Sequence, residues 1–70
     1  MDREAVASSS LRSVGYDSGR KILEVEFHSG GVYQYEEVPA SVFEELTNAE
    51  SKGRYFMNEI RDVYPTTRVK

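Results

Sequence analysis

The stretch that decides the fold is residues 21–38, which read KILEVEFHSGGVYQYEEV. Apolar residues alternate with polar ones from Leu23 to Phe27, and this period of two is typical of a strand with one buried face. The break Ser29–Gly31 interrupts the pattern, and a second strand pattern runs from Val32 to Val38. Two strands joined by a short glycine-containing loop predict a β-hairpin.

Outward from the hairpin, the chain predicts one strand before it and two helices after it. Leu11–Tyr16 is a short strand pattern that ends in turn residues. Pro39 ends the hairpin because it has no N–H to donate to a sheet. Ser41–Glu44 matches a capping box and predicts the first helix, Gly53 is its natural stop, and the apolar spacing of Phe56–Val63 predicts the second. The predicted fold class is therefore α+β, a three-stranded antiparallel β-meander followed by two short α-helices on one face.

Seventy residues are enough for one small domain with a small core. With no cysteine and one histidine, neither a disulfide nor a zinc site can stabilise it, so its stability depends on apolar packing. We expect a flexible N-terminal segment over residues 1–8 and the folded domain over residues 9–69. The expected core consists of Leu23, Val25, Phe27, Phe43, Leu46, Phe56 and Ile60.

Composition and charge limit the classes of function. The net charge of −3 argues against a basic footprint over the whole surface, and no apolar stretch is long enough to span a membrane. The absence of cysteine and of an apolar leader predicts a cytoplasmic protein. The charge is uneven, since residues 36–50 carry five glutamates and no basic residue, whereas residues 52–70 carry five basic and two acidic residues.

The register of the hairpin determines where Tyr33 and Tyr35 point. If the loop is Ser29–Gly31, Phe27 faces Tyr33 and both tyrosines share the core face. If the loop is one residue shorter, Phe27 faces Val32 and both tyrosines turn to the other face, where they would form an aromatic platform for single-stranded RNA. We favour the first register.

Three basic residues of the second helical region are candidate phosphate contacts. Lys52 and Arg54 open this region, and Arg61 follows Arg54 by two turns of a continuous helix. Arginines on one face could bind phosphate as bidentate donors. The alternative, which we favour, is salt bridging to Glu50, Glu59 or Asp62 on a solvated helix.

No arrangement of residues predicts catalysis. Gly30 and Gly31 lack the lysine and serine of a phosphate loop and are explained by the turn. His28, next to the turn and on the polar face of its strand, is expected to be an exposed surface residue. We predict no metal, no cofactor and no enzymatic activity.

At this point the residues resemble a known family, the KTSC domain. The resemblance runs over about residues 9–69 and rests on an ordered series of motifs: Ser9-Ser10, Val14–Asp17, Leu23–Phe27, Gly31–Tyr35, Val38-Pro39, Ala49–Gly53, Tyr55-Phe56, Ile60-Arg61 and Tyr64. The family is named for the C-terminus of some lysyl-tRNA synthetases and also occurs as small bacterial proteins. The resemblance suggests RNA as the ligand class and supplies no catalytic residue.

Together these observations predict a small, monomeric, non-catalytic binding module. RNA of the tRNA type is the leading ligand, and the candidate ligand-binding residues are Tyr33, Tyr35, Lys52, Arg54 and Arg61. The alternative is a protein–protein adaptor that docks through an open sheet edge or through its acidic helix.

Overall fold

The predicted hairpin forms the centre of an antiparallel sheet of five strands in the computed structural model, which describes residues 2–70. The strands follow one another in space in chain order, and two helices separate the fourth from the fifth. The elements are β1 (Glu4–Ala5), β2 (Leu11–Asp17), β3 (Ile22–Phe27), β4 (Val32–Tyr35), α1 (Ala40–Asn48), α2 (Lys52–Glu59) and β5 (Thr66–Arg68).

The α+β class with two helices is confirmed, but three strands is wrong, since β1 and β5 extend the sheet at its two sides. β5 pairs with β4, with Tyr33 opposite Arg68, and β1 pairs with β2, with Glu4 opposite Val14. Both added strands are exposed throughout. Backbone hydrogen bonds to β2 and β4 hold these two strands in place, so their sequences need no apolar alternation. The sequence pattern therefore does not predict them.

Part of the N-terminal segment that the sequence predicts to be flexible forms a strand. Glu4–Ala5 forms β1, and the backbone N–H of Val6 donates to the Arg12 carbonyl at 3.1 Å. Met1, which the expected flexible segment includes, lies outside the described residues. The segment therefore adds a strand to the outer side of β2 before it reaches Ser8.

The hairpin register places Tyr33 and Tyr35 on the core face, as favoured, but neither proposed pairing is correct. Val25 lies opposite Tyr33, and Leu23 lies opposite Tyr35. The pairing differs by two residues from the favoured register, so the tyrosines keep the same face. The loop lies one residue earlier than the predicted Ser29–Gly31, because the N–H of Phe27 donates to the Gly31 carbonyl at 2.9 Å. Gly30 in this loop has a φ of 102°.

The two helices cover one face of the sheet, and the core lies between them. Leu23, Val25, Leu46, Phe56 and Ile60 are buried as predicted. Two other predicted core residues lie at its margin, only partly buried: Phe43, stacked on Tyr16 at 5.2 Å between ring centres, and Phe27, edge-on to Phe56 at 5.3 Å. Burial of this small apolar and aromatic cluster holds the helices on the sheet.

The helix ends differ from the sequence-based expectations. α1 begins after Pro39 with no side-chain cap, so the predicted capping box at Ser41 is not formed. The cap occurs instead on α2, where the Ser51 hydroxyl accepts from the Arg54 N–H at 3.3 Å. Gly53, the predicted stop, therefore lies inside α2. The last helical residue is Glu59, so Val63 falls beyond the helix and is 61% exposed.

The second face of the sheet carries polar side chains. Arg3 Nη1 lies 2.9 Å from Glu24 Oε2, and Gln34 Nε2 donates to the other oxygen of Glu24 at 2.9 Å. Ser13 Oγ donates to Glu26 Oε1 at 2.9 Å. No helix in residues 2–70 has the length and apolar character needed to cross a membrane.

Candidate functional site

The larger of two adjoining clefts, here called the aromatic cleft, lies between the β3–β4 hairpin and α2. It has a volume of about 580 Å³, within the range of roughly 300–1,000 Å³ usual for small-molecule sites. Its aromatic lining residues are Phe27, Tyr33, Tyr35 and Phe56. Its polar and flexible lining residues are Ser10, Ser29, Met57, Arg61, Asp62 and Thr66. The cleft thus combines ring faces and edges with one guanidinium and one carboxylate.

The smaller cleft, here called the basic cleft, lies where the N-terminus of α2 meets the segment before β2. It has a volume of about 380 Å³ and is lined by residues 7–10, residues 50–54 and Met57. Its charged residues are two cations, Lys52 and Arg54, and one carboxylate, Glu50. Gly53 packs beside this segment, and a Cβ at this position would make ordinary van der Waals contacts, at 3.4 Å from Ser10 Oγ and 3.5 Å from Ser8 Oγ.

The two clefts adjoin because Ser10 and Met57 line both of them. The basic cleft contains Lys52 and Arg54, and the aromatic cleft contains the other three predicted site residues. The structure therefore brings all five predicted residues to these two adjoining clefts, together called the groove. Arg54 and Arg61 border different parts of it, because α2 ends at Glu59 before the second turn that would align them is complete.

The salt bridges favoured for Arg54 and Arg61 are not formed. Ion pairs within residues 2–70 involve only Arg3 and Arg20, so no carboxylate neutralises the cations of the groove by direct pairing. Lys52 Nζ instead donates to the Ala49 carbonyl at 3.3 Å, and Arg61 Nη1 lies 3.4 Å from Met57 Sδ. The expectation failed because the carboxylates near in sequence do not come within ion-pairing distance in space.

The two tyrosines of the aromatic cleft differ in exposure and in surroundings. Tyr35 is 4% exposed, and its ring lies edge-on to Phe56 at 5.4 Å. Burial raises its pKa from 10.0 to about 12; Tyr33 and Asp62 add to the shift and Arg61 opposes it. Tyr35 therefore presents a neutral phenol at physiological pH.

Tyr33 is half-buried, nearer the rim of the aromatic cleft. Its ring lies edge-on to Phe27, with 5.6 Å between ring centres and an angle of 76° between planes. The guanidinium carbon of Arg68 lies 5.6 Å from the Tyr33 ring centre, a cation–π distance. The tyrosines do not form a flat platform on the uncovered face of the sheet; they wall a cleft on the face that the helices cover.

Sequence reasoning missed several groups at the groove. Arg68, whose guanidinium lies over the Tyr33 ring, follows the last predicted helix and was assigned no role. Asp62 was considered only as a partner for the arginines. Ser10 entered only as part of the Ser9-Ser10 motif of the family resemblance and was assigned no role. His28 is exposed as expected, and its Nε2 lies 2.8 Å from the Ser8 carbonyl oxygen, which links the hairpin turn to the wall of the basic cleft.

The groups that line the groove are aromatic rings, hydroxyls, three cations and two carboxylates. Within residues 2–70, no three His, Asp or Glu side chains are placed to hold a metal ion together. Planar rings, hydroxyls and unneutralised cations are the groups that recognise a planar, anionic ligand.

Comparison with known proteins places this groove in a family context. Residues 7–64 match the family model of the KTSC domain. The chain belongs to the KTSC domain family. The predicted resemblance is thus confirmed, and the matched residues include every predicted site residue.

Relatives of this KTSC domain occur both as short proteins and within much longer ones. An uncharacterised protein of Stutzerimonas stutzeri is 57% identical over 56 residues, which cover 80% of this chain and 79% of that protein. A lysine–tRNA ligase of Trichormus variabilis is 47% identical over 53 residues, which cover 76% of this chain but 9% of the ligase. The ligase match is therefore a match to one small part of a large protein.

A crystal structure supports the fold assignment of this KTSC domain. A KTSC domain protein from Yersinia pestis superposes with a TM-score of 0.96 and is 35% identical, and the match covers 99% of this chain and 97% of the other. The fold is therefore shared over nearly the full length of both chains.

Proposed function

We propose that this KTSC domain is a small non-catalytic module that binds single-stranded RNA along the groove formed by the basic cleft and the aromatic cleft. The observation that carries the proposal is the convergence of two tyrosines and three unpaired cations on two clefts that share Ser10 and Met57. Phosphates would lie against the cations, and one or more bases would enter among the rings.

The charge distribution supports this assignment despite the net charge of −3. Sequence-independent affinity for RNA comes from phosphate contacts, and three such contacts need only a local basic surface. Lys52, Arg54 and Arg61 provide three cations at the groove, against two carboxylates, those of Glu50 and Asp62. The glutamates of α1, Glu44 and Glu45, are exposed on a different element and do not line either cleft.

The relatives make tRNA the first RNA to test. Part of a lysine–tRNA ligase is similar to this chain, and that protein's name specifies tRNA as its substrate. RNA binding also fits the cytoplasmic location that the cysteine-free composition predicts.

The alternative of a protein adaptor receives less support from the sheet. A three-stranded sheet would present two long edges to a partner strand, but β1 and β5 occupy those edges with strands of two and three residues. Short, exposed, charged edges are poor templates for pairing with another strand. The acidic helix α1 is the remaining surface for a protein partner.

The experiment is a titration of the ¹⁵N-labelled protein with bulk tRNA at two salt concentrations, followed by amide shifts. We expect shifts on both sides of the groove, at Tyr33, Lys52, Arg54 and Arg61. The variant Lys52→Gln/Arg54→Gln/Arg61→Gln should bind weakly and lower the slope of log affinity against log salt by about 2, since each phosphate contact contributes about 0.7 on a single strand.

The matched control is Arg12→Gln/Arg20→Gln/Lys21→Gln, which removes the same charge from exposed positions outside both clefts. This variant should lower affinity only slightly and leave the shift pattern unchanged. Equal losses in the two triple variants would mean that the groove is not the site. An absence of shifts at low salt would reject RNA binding, and shifts confined to α1 on addition of a protein extract would favour the adaptor.

A further inference from the structure

The mouth of the aromatic cleft carries a hydrogen-bond acceptor beside hydrogen-bond donors. Arg61 and Asp62 are consecutive, both are exposed, and both line this cleft. Neither forms an ion pair within residues 2–70. A cleft that only attracted phosphate would gain nothing from the Asp62 carboxylate, which repels it. The carboxylate therefore needs a different explanation.

The Tyr35 hydroxyl interacts electrostatically with Arg61 and Asp62. Its pKa of about 12 is influenced by Tyr33, by Arg61 and by Asp62, after the dominant effect of burial. At neutral pH the phenol is protonated and can donate a hydrogen bond. Tyr35 and Asp62 both line the aromatic cleft, so a ring that enters it meets both a hydroxyl donor and a carboxylate acceptor.

This combination matches one nucleobase better than the others. A carboxylate has two oxygens and can accept two parallel N–H bonds. Guanine presents two adjacent donors, N1–H and the N2 amino group, next to the acceptor O6. Adenine, cytosine and uracil present no two adjacent donors on this edge. Single-stranded RNA is read on this same edge by proteins that stack the base on aromatic side chains.

We propose that the aromatic cleft takes one unstacked guanine of the bound strand, with Asp62 accepting from N1–H and N2–H and the Tyr35 hydroxyl donating to O6. Arg61 then faces the phosphate beside this nucleotide, at the junction where Met57 connects the two clefts. The inference rests on the proposed function, because it assigns a base preference to the same groove.

The test uses eight-nucleotide oligouridylates in which one central position is varied, with binding followed by fluorescence anisotropy. Guanine at that position should bind about tenfold more tightly than adenine or uracil, the discrimination expected of one good bidentate contact. Inosine lacks the N2 amino group and keeps N1–H and O6. It should lose most of the advantage of guanine.

The protein-side test is Asp62→Asn, which keeps the shape and removes the charge. It should bind guanine and inosine equally and reduce the guanine preference to about twofold. The control Glu59→Gln removes one exposed carboxylate that does not line the aromatic cleft. It should raise affinity for every oligonucleotide by the same small factor and leave the tenfold ratio intact.

The outcomes separate this inference from the proposed function. Equal binding of guanine, adenine and uracil by the unaltered protein overturns the guanine site and leaves the RNA groove in place. A guanine preference that survives in Asp62→Asn overturns the role of Asp62. No binding of any oligonucleotide at low salt overturns the groove and the guanine site together.

Discussion

The two faces of the sheet are both shielded from water, but by different kinds of contact. On the helix-covered face, apolar side chains such as Val25 and Leu46 are completely buried. On the other face, the side chain of Glu24 is 12% exposed beneath the side chain of Arg3, which is 29% exposed. One face is closed by two helices and the other by a few residues of the N-terminal segment.

A glycine makes the second arrangement possible. Gly15 belongs to β2 and lies opposite Glu24 of β3. On that face it lies between Arg3 and Glu24. Because it has no side chain, the Asp2 backbone and the Arg3 side chain can cross directly above it. The apolar face therefore depends on how much surface is buried, whereas the polar face depends on whether the N-terminal segment has space to pass over Gly15.

The largest effect is expected on the helix-covered face. Leu46→Ala removes a completely buried side chain of α1 and should lower the free energy of unfolding by about 2–5 kcal/mol. That loss is comparable to the whole stability of a small domain, so most of the protein should unfold at 37 °C. Urea denaturation followed by circular dichroism measures it. Val63→Ala, at a 61% exposed position, is the control and should change stability by less than about 0.5 kcal/mol.

The second effect concerns the crossing above Gly15. In Gly15→Ala, the new methyl group would overlap the Asp2 carbonyl oxygen and lie 3.0 Å from Arg3 Cγ. The N-terminal segment must move away, at a cost of about 1–3 kcal/mol. Amide exchange at Val6 should become faster, because its bond to Arg12 depends on β1. Gly19→Ala, where a Cβ meets only the Asp17 side chain at 3.4 Å, should leave exchange at Val6 unchanged; similar acceleration in both variants would contradict the crossing.

The same two faces show what the sequence could and could not predict. The apolar alternation in β3 and the helical spacing after Pro39 depend on local periodicity, so they predicted the hairpin, the helices and most of the core. β1 and β5 are too short for any periodicity. The position of Arg3 over Gly15 joins residues that are distant in sequence, and no local pattern encodes it.

The site was predictable in its residue types and not in its geometry. Aromatic and basic residues in the right regions identified Tyr33, Tyr35, Lys52, Arg54 and Arg61. The end of α2 at Glu59, which separates the two arginines, was not predictable because the helical apolar spacing continues to Val63. Asp62 lies in the same cleft as the tyrosines only because α2 ends at Glu59.

A third prediction concerns the cost of charging a group beneath the helices. The pKa of the Tyr35 phenol is about 12 in the folded protein and 10.0 in the unfolded chain. Its contribution to stability is therefore complete below pH 10 and is lost as pH rises toward 12. Between pH 9 and pH 11 the free energy of unfolding should fall by on the order of 1 kcal/mol more in the unaltered protein than in Tyr35→Phe. Parallel pH dependence in the two proteins would show that the hydroxyl is solvated in the fold.

The smallest effect is expected from the ion pair on the second face. A double-mutant cycle with Arg3→Met and Glu24→Gln should give a coupling of about 0.5–1 kcal/mol, since the atoms are 2.9 Å apart and both side chains are partly shielded. The matched cycle with Arg20→Met and Asp17→Asn should give almost none, because that pair is 3.9 Å apart and 78% and 37% exposed. Equal coupling in the two cycles would mean that the N-terminal segment does not shield Glu24. Glu24 would then be as solvated as a residue on an ordinary protein surface. The two faces would differ only in that helices cover one of them.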